Sequence, residues 1–456
     1  MNVAVILSAG SGSRFGAKIP KQFINLAGKN IIEYTIAAFE QNDQIDEICI
    51  VADESYHTKL WEISKNNEFQ KVKRIIIGGV ERKDSSYQAI KEYETFENIN
   101  LVFHDAVRPF VSQKIINDTI QALENYDAID VAIPTADTII QIDSKTNTIE
   151  RIPQRSKLQR GQTPQAFKLE TIKKAHELSN QDVNEPFFTD DCGLVKQYLP
   201  TTDIFVVNGE EKNIKITYPE DLLFAEKLIQ LNSTSLSNNI NFDNLKDKVI
   251  VVFGGNSGIG KDILQLSNKN SGKALAFSRL NGVDISDDTQ VEKILDDVFK
   301  KYNRIDAVIN CAAILTKKEL IETSFEEIIS EINTNFLGAI NVAKASHKYL
   351  KQTKGSLVLF TSSSYTRGRA NYSLYSSTKA AIVNLTQSLA SEWQKDNIKV
   401  NVINPARTAT PMREKNFGKE DISTLLSSQT VAQNTIQTIL SDFSGLVIDV
   451  KIGVKI

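Results

Sequence analysis

Short apolar runs recur along the chain, each followed by a longer segment of helical character. The runs include "NVAVI" (Asn2 to Ile6), "EICIVA" (Glu47 to Ala52), "RIIIGG" (Arg74 to Gly79), "NLVFHDA" (Asn100 to Ala106) and "DVAIPT" (Asp130 to Thr135). Strands alternating with helices predict α/β layers around a largely parallel sheet. The pattern breaks at "LNSTSLSNNINFDNLKDK" (Leu231 to Lys248), where Asn and Ser dominate and the apolar residues lose their period. That composition reads as a linker. A new apolar strand then begins, "VIVVFGG" (Val249 to Gly255). The expected organisation is two α/β domains, residues 1–230 and 246–456, joined by a linker at 231–245. Each domain is expected to be a largely parallel, Rossmann-like sheet flanked by helices.

The length of 456 residues agrees with two domains, since one core rarely grows so large. A net charge of -3 leaves no global basic field for nucleic acid or an anionic membrane. Anions must therefore be bound locally. No apolar run approaches the roughly 20 residues that cross a bilayer. A charged glycine loop arrives too early for a signal peptide to be expected. The three cysteines, Cys49, Cys192 and Cys311, are far apart, which suits neither a disulfide framework nor a zinc site. A reducing cytoplasm is the expected location.

Both halves open with a strand and then a glycine-rich turn. The first turn, "LSAGSGSRFGAKIPKQF" (Leu7 to Phe23), carries Ala9, Gly10, Ser11, Gly12 and Gly16 among Arg14, Lys18 and Lys21. Glycine lets backbone N–H groups approach phosphate oxygens. The spacing matches neither a P-loop nor G-x-G-x-x-G, so the loop alone could equally be a solvated turn. Five further segments follow in order: "GGVERKDSSYQAI" (Gly78 to Ile90), "HDAVRPF" (His104 to Phe110), "RGQTPQAF" (Arg160 to Phe167), "FTDD" (Phe188 to Asp191) and "NIKITYPEDL" (Asn213 to Leu222). Together, across roughly residues 1 to 230, they resemble the cytidylyltransferases that make CDP-methylerythritol or CDP-ribitol from CTP.

The resemblance implies attack of a polyol-phosphate oxygen on the α-phosphate of CTP, with pyrophosphate leaving. It implies that Arg14 and Lys21 stabilise the charge that accumulates in the transition state. Asp105 is the implied Mg2+ ligand. Ala9, Gly10, Ser11, Gly12, Gly79, Ser85 and Lys215 are implied CTP-binding positions. Arg108, Arg155 and Thr163 are implied contacts to the polyol phosphate, and Arg155 reaching a neighbouring subunit implies a homodimer. His104 is expected to be structural, because a phosphate nucleophile needs no strong base.

In the second half, "VVFGGNSGIGKDI" (Val251 to Ile263) places Gly254, Gly258, Ile259 and Gly260 between a strand and a helix. A dinucleotide pyrophosphate can rest on such a helix N-terminus. Four later segments, "NCAA" (Asn310 to Ala313), "NFLG" (Asn335 to Gly338), "TSSSYTRGRANYSLYSSTKAA" (Thr361 to Ala381) and "NVINPARTATPM" (Asn401 to Met412), extend the pattern. The set resembles the short-chain dehydrogenase/reductases. Tyr375 and Lys379, four apart, share one helix face, and a nearby ammonium is expected to lower the tyrosine pKa. The family implies Tyr375 as proton donor, Lys379 as ribose ligand, Asn335 as relay residue, and Asn310 and Ala312 beside the cofactor. The family also implies a carbonyl-polarising serine, expected to be Ser362 with Ser363 as the alternative. Near the second strand, Ser278 and Arg279 stand where an acid would select NADH, so NADPH is expected. Asp284 is the implied adenine contact.

A CTP transferase joined to a carbonyl reductase suggests consecutive steps. The arrangement resembles bifunctional bacterial enzymes that reduce ribulose 5-phosphate and convert the product to CDP-ribitol for surface polymers. The alternatives are a CDP-methylerythritol synthase carrying an unrelated reductase, the same two steps on xylulose 5-phosphate or another ketose phosphate, and a binding scaffold with inactive sites.

Overall fold

A computed structural model of the chain describes residues 1–10, 19–183, 186, 188–233 and 242–452. It divides into two units, Met1–Ala225 and Glu226–Ile456. In the first, β1 (Asn2–Leu7), β2 (Glu47–Ala52), β3 (Val72–Ile77), β4 (Asn100–Asp105), β5 (Ala128–Pro134), β6 (Gln159–Lys168) and β7 (Ile204–Asn208) form one sheet. Its order is β7-β5-β6-β4-β1-β2-β3. β6 runs antiparallel to β4 and β5, and the other pairings are parallel. β1 and β2 are apolar at nearly every position because both faces are covered. Ala4 and Ile6 join Ile36 and Phe39 in one core layer, whereas Val3 and Val5 join Tyr93 and Phe103 in the other.

From β1 the chain first builds toward β3, then crosses to place β4 on the opposite side of β1. The order reverses between β1 and β4, where Leu7 and Asp105 are in register. Crevices that take ligands lie at such switch points, beyond the carboxyl ends of the strands.

The second unit repeats the device. β8 (Val249–Phe253), β9 (Lys273–Phe277), β10 (Ala307–Asn310), β11 (Ser356–Phe360), β12 (Lys399–Pro405) and β13 (Val447–Val450) form a sheet in the order β9-β8-β10-β11-β12-β13. All its pairings are parallel. The reversal falls between β8 and β10, with Phe253 opposite Asn310. The helix Gly258–Lys269 follows β8 directly, and Ser373–Trp393 carries both Tyr375 and Lys379. A π-helical segment, Asn333–Leu337, interrupts the passage from helix Phe325–Ile332 to helix Gly338–Thr353. In the sequence between the last strand of the first sheet and the first of the second, helix Glu220–Ser233 runs past residue 230, and Phe242–Leu245 forms a short 3-10 turn with Leu245 buried.

Candidate active sites

At the first switch point β4 delivers Asp105, a buried carboxylate, into a group of cations. Lys215 Nζ lies 3.0 Å from Asp105 Oδ2, and Arg108 Nε lies 3.2 Å from the same oxygen. Arg82 Nε is 4.0 Å from Oδ1. Burial would raise the carboxyl pKa, but Lys215, then Arg82 and Arg108, hold it well below the usual carboxylate range. Thr163 binds the cluster to β6, its hydroxyl accepting the Asp105 N–H at 3.2 Å and meeting His104 Nδ1 at 3.0 Å. Asn213 closes the ring, donating to the Thr163 carbonyl at 2.9 Å while its own carbonyl accepts from Arg108 at 2.8 Å. His104, Asp105, Arg108, Thr163 and Lys215 thus come together from three separate segments. Burial pushes the His104 pKa down to about 4, so the ring is a neutral bridge near neutral pH.

Beside this cluster the Gly79 N–H donates to Ser85 Oγ at 3.1 Å. A Cβ at Gly78 would fall 2.3 Å from the Ala9 Cβ, so only glycine allows these segments to meet. Ala9, Asp53, Gly78 and Gly79 line a cleft of about 580 Å³. Gln22 Nε2 donates to the Ser8 carbonyl at 2.6 Å, tying the turn that carries Lys21 to the end of β1. Ser11, Gly12 and Arg14 lie outside the described residues. Arg155 is exposed on the turn Arg155–Lys157 and donates to the Ala136 carbonyl at 3.3 Å. No hydrogen bond or ion pair among the described residues joins it to the Asp105 cluster.

Arg82 and Gln22 carried no assignment from sequence. Arg82 lies within the "GGVERKDSSYQAI" segment, but its partner, Asp191, comes from "FTDD" far along the chain. The two form an ion pair, so Arg82 spans Asp191 and Asp105. One carboxylate among three cations suits a triphosphate. It also fits a magnesium ion arriving with that triphosphate, since magnesium takes one or two carboxylates and completes its shell with phosphates and water. Among the described residues no group of three or more His, Cys, Asp or Glu could hold a metal alone.

At the second switch point a cavity of about 890 Å³ runs along the glycine turn and over β10 and β11. Gly254 has φ +75°, and a Cβ there would lie 2.6 Å from the Ala312 nitrogen. The turn and the strand behind it therefore leave no room for a side chain, and the cavity keeps open backbone for a pyrophosphate. Gly258, Ile259 and Gly260 form the first turn of the helix that follows. Asn310 Oδ1 accepts the Ala312 N–H at 3.1 Å and fixes the strand end. Ser278 caps the turn Arg279–Asn281, and both Ser278 and Arg279 line the cavity. Asp284 also lines it and accepts from Ser286 N–H and Oγ at 2.9 and 2.7 Å. These residues fit a dinucleotide with its adenosine end beside Arg279.

Ser362, Tyr375 and Lys379 line the other part of the same cavity. Ser362 is close enough to the Tyr375 hydroxyl to act on its pKa, whereas Ser363 Oγ accepts from Arg369 at 3.4 Å. Lys379 is buried and donates to the Phe360 carbonyl at 2.9 Å. Burial pushes the Tyr375 pKa up to about 12; Ser362 opposes this, and Glu331 and Tyr372 add to it. The expected lowering by Lys379 is not what the structure shows. The low dielectric penalises a tyrosinate, and the ammonium is directed at a carbonyl. Burial pushes Lys379 itself down to about 8, against the pull of Cys311 and Glu331.

Asn335, in the π-helical segment, clamps Ile314. Its Oδ1 accepts the Ile314 N–H at 2.8 Å and its Nδ2 donates to the Ile314 carbonyl at 2.9 Å. Glu331, four residues earlier, has no sequence assignment. It is fully buried, accepts the Thr316 N–H at 3.1 Å through Oε2, and leaves Oε1 without a hydrogen-bond partner.

The two sites define the class: a nucleotidyltransferase of the cytidylyltransferase type followed by a short-chain dehydrogenase/reductase. Residues 2–231 match the family of 2-C-methyl-D-erythritol 4-phosphate cytidylyltransferases, and residues 252–439 match a reductase family described as enoyl-(acyl carrier protein) reductase. The chain belongs to the bifunctional ribulose 5-phosphate reductase/CDP-ribitol pyrophosphorylase family. It is 46% identical over 454 residues to Bcs1 of Haemophilus influenzae, covering 98% of this chain and 95% of that one. The 2-C-methyl-D-erythritol 4-phosphate cytidylyltransferase of Thermobifida fusca (strain YX) is 38% identical over 233 residues, covering 50% of this chain and 92% of that one. The crystal structure of 4-diphosphocytidyl-2C-methyl-D-erythritol synthase from Anaerococcus prevotii DSM 20548 is 28% identical, covers 50% of this chain and 96% of that one, and superposes with a TM-score of 0.46. The protein is a bifunctional enzyme with a cytidylyltransferase half and an oxidoreductase half.

Proposed function

We propose that the C-terminal half reduces D-ribulose 5-phosphate to D-ribitol 5-phosphate with NADPH, and that the N-terminal half transfers CMP from CTP to that product. CDP-ribitol and pyrophosphate result, and CDP-ribitol serves surface polysaccharide synthesis. The observation that carries this reading is the likeness to the Haemophilus influenzae enzyme, which spans both halves rather than one.

In the reductase, NADPH when bound supplies the hydride for the carbonyl carbon. Tyr375 holds its proton at neutral pH and donates it to the developing alkoxide, with Ser362 binding the same oxygen. Lys379 would hold the nicotinamide ribose beside them. Asn335 fixes the loop at Ile314 beside them. In the transferase, Lys215, Arg82 and Arg108 present positive charge where phosphate charge grows, and the depressed Asp105 stays ionised to orient them. A magnesium ion bound with CTP would be held by Asp105 and would screen the phosphates. Arg14 and Lys21 complete this reading as transition-state cations. Cytoplasmic location, a homodimer in which Arg155 reaches the neighbouring transferase site, and domain limits of 1–230 and 246–456 belong to the same proposal.

The test is a coupled assay. Ribulose 5-phosphate should drive NADPH oxidation, and adding CTP should then release pyrophosphate with CDP-ribitol as product. Oxidation with xylulose 5-phosphate but not ribulose 5-phosphate would reassign the substrate. Pyrophosphate release with methylerythritol 4-phosphate alone would reassign the transferase.

A further inference from the structure

We propose that Arg369 seats the phosphate group of the ketose phosphate in the reductase site. The inference rests on reading that half as a ketose-phosphate reductase and names the residue that gives it this substrate class.

The charges around the cavity carry the argument. Its lining includes the cations Arg279, Arg369, Lys379, Arg407 and Arg413 and one acid, Asp284. Most of these already have work to do. Arg413 forks onto Glu420 at 2.6 and 2.9 Å, and Arg407 reaches the same carboxylate at 4.0 Å. Lys379 is engaged with the Phe360 carbonyl, and Arg279 stands at the end of β9, on the adenosine side. Arg369 differs. Its one hydrogen bond among the described residues is the 3.4 Å contact to Ser363 Oγ, and no carboxylate there pairs with it. So long a contact is weak, and the guanidinium can be redirected at little cost.

Position adds to charge. Ser363 is the neighbour of Ser362, which lines the cavity together with Tyr375. Arg369 is therefore held one residue away from the groups that act on the carbonyl oxygen. A pentulose 5-phosphate carries its dianion only a few bonds from its carbonyl. Tyr372 and Phe417, packed edge to face with centroids 6.0 Å apart, line the same cavity and give the carbon chain a wall. A planar guanidinium can then take two phosphate oxygens at once, a geometry that an ammonium does not reproduce.

The experiment compares Arg369→Gln and Arg369→Lys with the wild type on ribulose 5-phosphate and on free ribulose. NADPH binding by fluorescence serves as the control for folding. Arg369→Gln should lower kcat/KM for the phosphorylated sugar by about 10- to 100-fold, the loss expected for a charged hydrogen bond. It should leave the rate on free ribulose and the affinity for NADPH unchanged. Inorganic phosphate should inhibit the wild type competitively and the variant weakly. Arg369→Lys should fall between them, and added guanidinium should restore part of the Gln variant's rate. If Arg369→Gln keeps the wild-type preference for the phosphorylated sugar, Arg369 does not read the phosphate and the proposal is overturned. If the wild type itself shows no such preference, the ketose-phosphate reading fails and takes the proposal with it.

Discussion

Lys215 Nζ stands 3.0 Å from Asp105 Oδ2, so the last motif of the transferase half completes the end of a central strand. Removing the carboxylate leaves three cations without their shared anion. Asp105→Asn should cut pyrophosphate release by about two decades or more, and NADPH oxidation should persist; Lys21→Ala should separate the activities in the same way. The pH sign is fixed by the depressed carboxyl. Its contribution to folding is present above the unfolded carboxylate pKa of about 3.9 and is lost as pH falls through the lower folded value. Melting followed on the transferase half should therefore lose more stability in acid for the wild type than for Asp105→Asn.

For the reductase, the proton donor and its cation have well-separated values. Tyr375 stays protonated to about 12, while Lys379 loses its charge near 8. Raising pH through that lower value removes the ammonium while the phenol still holds its proton. The kcat/KM for reduction should be flat below about 8 and fall above it, and Lys379→Met should abolish the limb along with most activity. Tyr375→Phe should cost about two to four decades in rate and leave NADPH binding nearly unchanged. A stopped-assay pH profile with fluorescence titration checks both; near-normal turnover of Tyr375→Phe would transfer the role to another tyrosine.

Glu331 gives that profile a handle. Its carboxylate raises the pKa of Lys379 and of Tyr375. Glu331→Gln keeps an acceptor for the Thr316 N–H but deletes the charge. The alkaline limb should move to lower pH, with Glu331→Asp moving it less. A Gln variant that loses activity evenly at every pH would assign the residue to holding Thr316 alone.

Cofactor choice is read at Arg279. Arg279→Asp places a carboxylate where the 2′-phosphate is expected and should weaken NADPH far more than NADH. Dissociation constants for the two cofactors decide it. Equal effects would show that Arg279 is a solvated charge at the strand end.

The strands were legible because both faces of these sheets are covered, which writes β1 and β2 as nearly unbroken apolar runs. Tyr375 and Lys379 were legible because a helix puts residues four apart on one face. Arg82 with Asp191, Gln22 with Ser8, and Glu331 with Thr316 were not, because each pair joins distant or differently structured segments and neither member is unusual alone. Ser362 and Ser363 could not be separated by counting; their surroundings differ, Ser362 lying near Tyr375 and Ser363 accepting from Arg369. The expectation that Lys379 lowers Tyr375 failed on a quantity that sequence does not carry, the extent of burial.

The π-helical segment Asn333–Leu337 has a consequence for how this half tolerates changes in length. It joins helix Phe325–Ile332 to helix Gly338–Thr353. Losing one residue there would turn the wide i→i+5 turn back into ordinary α winding, with the helices on either side keeping nearly their present phase and the bulge itself lost. Asn335, the third residue of the bulge, would then lose its grip on Ile314. Deletions in this stretch should therefore be purged as strictly as substitutions of Tyr375, because the site depends on helical pitch as much as on its chemistry.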